Sequence, residues 1–145
     1  MLANELDDDN LAAISSMQGW LALWNGDSTV AVITYQQSLD LWKRRHRESH
    51  ASTGWGYILL DNAKANAGHF VSALADMQRG LSILDGTLGS QSRRYLMAEI
   101  AYSHALDQTD AHVEAARRKT TAEQELKEFY RVQCADCTVS ATAFH

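Results

Sequence analysis

Residues 66–84 read NAGHFVSALADMQRGLSIL. Gly68 offers a turn, an aromatic follows, and Ala73 and Gly80 then stand where a free helix would carry larger apolar groups. A helix that presents Ala and Gly on its contact face lies close against another backbone, so this stretch reads as the second half of a helix hairpin.

The hairpin recurs. NGDSTVAVITYQQSLDL (25–41), AGHFVSALADMQRGLSI (67–83) and TDAHVEAARRKTTAEQE (109–125) align without gaps. Their turn residues Gly26, Gly68 and Asp110 return at equal intervals, a period of about 42 residues in the range of helical repeat arrays. Five residues beyond each turn stand Ala31, Ala73 and Ala115, and seven further on Ser38, Gly80 and Ala122. Six small residues in one register predict the same close helix approach in every copy. Before each turn lies another helical stretch, at 11–24, 54–67 and 95–108. Apolar residues return there at steps of three and four, as Ile14, Met17, Leu21 and Trp24, as Tyr57, Leu60, Ala63 and Ala67, and more loosely as Leu96, Ile100, Ser103 and Leu106. Each copy is therefore helix A, turn, helix B. A lone pair cannot bury its apolar face, whereas three stacked pairs can.

Composition agrees with an all-α fold. The 145 residues include no proline, the main breaker of helix interiors, and are 46% apolar and 21% charged, which predicts a folded soluble domain. The net charge of −5 argues against a nucleic-acid binder. The N-terminus MLANELDDDN lacks a signal pattern and GWLALW (19–24) is far shorter than a membrane span, so a cytosolic location is expected. Asp7, Asp8 and Asp9 suit the start of the first helix. The basic run Lys43, Arg44, Arg45 and Arg47 reads as a solvated helix end rather than a phosphate patch.

The pattern resembles the tetratricopeptide repeat. The positions that carry the likeness are Gly19, Gly26, Ala31, Tyr35 and Ser38 in the first copy, and Gly68, Phe70, Ala73, Met77 and Gly80 in the second. The third copy departs most, with Asp110, His112 and Lys119 at the turn and aromatic places. The period exceeds the usual one of about 34 residues. In this it is similar to the long-repeat variety of kinesin light chain and bacterial signalling proteins. Leu88-Gly89 sits where that variety has a linker Leu-Gly, while the linker Pro is missing. YQQSLDLWK (35–43) also resembles repeats that follow kinase domains in some bacterial kinases, but no kinase motif is present. The resemblance implies a right-handed α-solenoid of three repeats, about 12–45, 54–87 and 96–129, within a domain spanning 1–133. A short extended tail, 134–145, follows. Lys119 and Glu123 fit either a degenerate repeat or a solvent-facing cap, the latter preferred.

In that family helix A lines the concave side and contacts a peptide or partner helix. The matching positions are Ser16, Trp20 and Trp24, then Ile58, Asn62, Ala65 and Asn66, then Ile100, His104, Asp107 and Gln108. Two series step by one whole period: Trp20, Asn62, His104 and Trp24, Asn66, Gln108. An Asn amide both donates and accepts, so it can pair with a peptide backbone, and Trp supplies an apolar anchor with an N–H. Trp24 fits equally, and Trp20 somewhat less well, a core that closes the first repeat, and Trp55 reads as linker packing ahead of a helix. The series hold no Lys or Arg, and Lys64 is one step off the row, so binding of a C-terminal carboxylate is not expected.

Other chemistry is thinner. Cys134 and Cys137 form a single CxxC, too few ligands for structural zinc, and they follow a helix rather than a strand, unlike a redox motif. Their readings are a structural tail, a reversible thiol pair, or a metal shared between chains. His46 and His50 read as a surface pair. No phosphate loop, catalytic triad or paired carboxylate in an apolar setting is present. The expectation is therefore a non-enzymatic interaction module without cofactor. Its alternatives are a thiol- or metal-dependent switch through the CxxC and a self-associating piece, a homodimer.

Overall fold

The computed structural model describes residues 7–135. They form six α-helices, α1 (Asp8–Trp24), α2 (Ser28–Arg45), α3 (Ala51–Asn66), α4 (Phe70–Leu88), α5 (Arg93–Asp107) and α6 (His112–Ala135). No strand occurs among the described residues.

Local chemistry sets the helix ends. The Asp7 and Asp27 carboxylates accept from the backbone N–H of Asn10 (2.9 Å) and Val30 (3.0 Å), capping α1 and α2. His50 Nδ1 accepts from Ser52 N–H and Ser92 Oγ from Tyr95 N–H, starting α3 and α5. Gly26 and Gly68 take φ of +79° and +92°, the left-handed region that lets the chain reverse within a few residues. The third turn is made differently. Among the described residues no non-glycine has positive φ, and Thr109 instead donates to Leu106 O (2.6 Å) and accepts from Ala111 N–H (3.3 Å). Asp110 thus needs no left-handed backbone.

Helices pack most heavily as the pairs α1/α2, α3/α4 and α5/α6. Lighter contacts join α2 to α3 and α4 to α5, and α3 also lies beside α5. Ala31, Ala73 and Ala115 are all buried, as are Ser38, Gly80 and Ala122. All six therefore lie in helix contacts. Ser38 Oγ donates to the Ala12 carbonyl at 2.8 Å. One period on, a Cβ at Gly80 would stand 2.8 Å from the Gly54 carbonyl oxygen. A hydroxyl can hydrogen-bond across that gap, and glycine leaves it empty. Two apolar clusters follow. Ala22, Ala31, Tyr35, Leu39, Leu60 and Ala63 join α1–α3, and Ile58, Met77, Leu84, Ala98 and Tyr102 join α3–α5.

Four expectations need correction. The row Ile14, Met17, Leu21 and Trp24 is exposed, and α1 packs instead through Ala12, Gly19 and Ala22. Helices pack where backbones come closest, and the Tyr35 ring occupies the space over Gly19 that a Cβ would fill. Trp55 does not precede a helix: α3 starts at Ala51, and Trp55 packs half-buried against the second cluster with Arg94 over its ring. Ile58, expected on the exposed side, is core. Finally, α6 runs past the expected tail boundary to Ala135, so Cys134 falls in its last turn.

The basic run closes on acid: Arg44 reaches Asp8 (3.3 Å), Arg45 reaches Asp9 (3.8 Å) and His46 Nε2 lies 2.7 Å from Asp9. These pairs link the end of α2 to the start of α1. Lys119, in register with the buried Met77 and Tyr35, stays 44% exposed and lies 3.9 Å from Glu123, giving α6 a polar outer face.

Candidate functional site

The close packing of α3 on α5 leaves a cavity of about 270 Å³ between their C-terminal halves. Asn62, Ala65 and Asn66 line it from α3, His104 and Ala105 from α5, Gln108 from the cap that ends α5, and Phe70 from the start of α4. Ala65 and Ala105 are buried and form a floor of small side chains, and the polar groups rise around it. The matching pairs Asn62/His104 and Asn66/Gln108, each one period apart, therefore meet at one place.

The donors and acceptors there are largely free to meet a ligand. Asn66 Nδ2 donates to the Asn62 backbone carbonyl at 2.8 Å, which orients its amide and leaves its oxygen outward. The side chains of Asn62, His104 and Gln108 make no hydrogen bond within the described residues. Asn62 is half-buried and the other three are exposed. The lining includes no Asp, Glu, Lys or Arg. Lys64 faces away, with its ammonium 2.8 Å from Asp61 and 4.0 Å from Asp76. Asp107 is also engaged, lying 3.0 Å from His112 Nδ1. Such a site can hold hydrogen-bonding groups and small apolar side chains, and it has no cation to neutralise a carboxylate.

Trp20 and Trp24 are absent from this lining. Both are exposed, at 56% and 77%, and stack on each other with ring centroids 5.6 Å apart. The core alternative for Trp24 is therefore excluded. Ser16 donates to Ala13 O at 2.8 Å, and Ile100 is half-buried.

Sequence reasoning missed Asp61, which is fully buried on α3 beside the site. Neither of its oxygens has a well-directed hydrogen bond, and the Lys64 ammonium is its near neighbour. Desolvation pushes its carboxyl up to about 6, only partly opposed by Lys64 and aided by Asp76. Also missed is a polar network on the other side of α5. Arg118 reaches both Glu99 oxygens at 3.2 Å and Glu114 at 2.7 Å, and Tyr95 Oη donates to Glu99 at 3.0 Å. Its members satisfy one another. Burial and Glu99 push the Tyr95 phenol up to about 12. Both pairings join residues distant in the chain or off the periodic rows, so neither left a signal in the register.

Among the described residues no group of three or more His, Cys, Asp or Glu side chains could hold a metal, and no helix is long and apolar enough to cross a membrane. Cys137 lies outside the described residues, and so does its proposed pairing with Cys134. No family model, curated protein or solved structure matches this chain.

Proposed function

We infer that this chain is a non-enzymatic, tetratricopeptide-like interaction module of three stacked helix pairs in a right-handed solenoid. Its partner is a peptide segment or a helix of another protein, held across α3 and α5. One observation carries this reading: four polar side chains one period apart, three of them without a hydrogen bond among the described residues, converge on one cavity with a floor of alanine. Asn62 and Asn66 offer amides to a peptide main chain. His104 and Gln108 add a second pair of donors and acceptors one repeat away. The small floor lets a backbone approach, and Phe70 closes one end. The absence of Lys and Arg from the lining favours an internal segment over a free C-terminus.

A peptide library displayed on phage tests this. Peptides selected on the wild-type chain are expected to lose at least tenfold in affinity on Asn62→Ala/His104→Ala, which corresponds to about 1.4 kcal/mol. Unchanged affinity in a variant with an unchanged melting curve would remove the groove from consideration.

A further inference from the structure

Among the described residues, the outer face of α1 gathers the most exposed large apolar side chains on one helix. Ile14 (43% exposed), Met17 (66%), Trp20 (56%), Leu21 (51%) and Trp24 (77%) share the side opposite Ala12, Gly19 and Ala22. Together they expose roughly 450–700 Å², taking about 150–250 Å² for each side chain when whole. A monomer's largest apolar patch is about 300–600 Å². Each partner in a standard interface contributes about 800 Å². The face thus lies at or above the upper end for a monomer and supplies most of what one partner of a standard interface contributes.

Two observations select the occupant. The first is register. Ile14 and Leu21 correspond to Gly56 and Ala63 on α3 and to Ala98 and Ala105 on α5. Those four are small and buried, and Gly56 takes the Leu39 and Trp42 side chains of the preceding helix where a Cβ would stand. On α1 the same places hold large side chains. A further repeat packed as α2 packs on α3 would collide with them, so the face does not continue the array. The second is charge. No charged residue occurs between Asp9 and Asp27, so the face carries nothing for a charged partner to complement and nothing that repels its own copy. Ile14, Met17, Leu21 and Trp24 follow three–four–three spacing, the a/d seam of a helix pair that interdigitates its knobs at coiled-coil distance.

We propose that two copies of this chain associate through α1 in a two-fold, isologous helix pairing centred on Met17 and Leu21. This is separate from the groove reading and stands without it.

Sedimentation velocity of the full chain over a wide concentration range tests the pairing. Wild type is expected to sediment as two chains. Met17→Glu/Leu21→Glu, which alters only exposed positions, is expected to sediment as one with the same helical circular dichroism. Val71→Glu, at a still more exposed apolar site on α4, is expected to remain a dimer, as is Asn62→Ala/His104→Ala. In wild type the fluorescence of Trp20 and Trp24 is expected to shift to the blue as concentration rises and the rings leave water. A wild-type monomer at every concentration overturns the proposal. So does a dimer that survives Met17→Glu/Leu21→Glu, or a dimer whose tryptophan emission does not move.

Discussion

Asp61→Asn tests the physics of the core beside the groove. Asp61 has no exposed surface, and its carboxyl rises from 3.8 to about 6, chiefly because burial strips its water. At 1.36 kcal/mol per unit, holding it ionised in the folded state costs about 3 kcal/mol at neutral pH. Because the folded value lies above the unfolded one, the native chain binds the extra proton. The benefit is complete below pH 3.8, shrinks as pH rises toward 6, and is gone above it. Asparagine has the shape of the protonated acid and never incurs that cost. Lys64 already opposes the rise, so its pairing is contained in that figure. The gain is about 3 kcal/mol at pH 7.5, or a Tm roughly 6–12 °C higher for a chain of this size. Near pH 4 the two proteins should melt together. Calorimetry at several pH values measures this directly. A variant less stable than wild type at pH 7.5, or a gain that does not change between pH 4 and 7.5, would refute the claim that desolvation dominates at Asp61.

Close packing makes further predictions. Gly80→Ala drives a Cβ to 2.8 Å from the Gly54 carbonyl and 3.0 Å from Ile58, and urea titration should show a loss of about 2 kcal/mol or more. Gly86→Ala, on the same helix with nothing within 4 Å, should gain about 0.5–1 kcal/mol instead. Gly68→Ala forces alanine to φ +92° and should lose about 1–2 kcal/mol, with thermal melts as the readout. Ser38→Ala removes the hydrogen bond to Ala12 O and should cost about 1 kcal/mol in urea, since Ala122 already fills the matching place in the third copy.

Much of this molecule is legible in its repeat. The six small residues at one register mark where helices touch, because only small side chains let backbones meet. The same register brings Asn62 to His104 and Asn66 to Gln108 across one cavity. Periodicity fails on α1 because it identifies residues that share a face without saying what covers that face. Ile14, Met17, Leu21 and Trp24 look like core by spacing, yet Gly19 and Ala22 were the informative residues there, for the reason that made Ala73 and Gly80 informative on α4. The start of α3 was misplaced because its cap is a histidine, an uncommon cap, amid a polar run. The burial of Asp61 was hidden because its only nearby cation, Lys64, looks from sequence like an ordinary surface partner three residues away.

An NMR titration of isotope-labelled chain with the tightest library peptide tests the proposed groove most directly. Saturable shifts concentrated on Asn62, Asn66, Phe70, His104 and Gln108, with α6 silent, are the expected result. Shifts that gather on the outer face of α1 or along α6 and leave those five unmoved would contradict it.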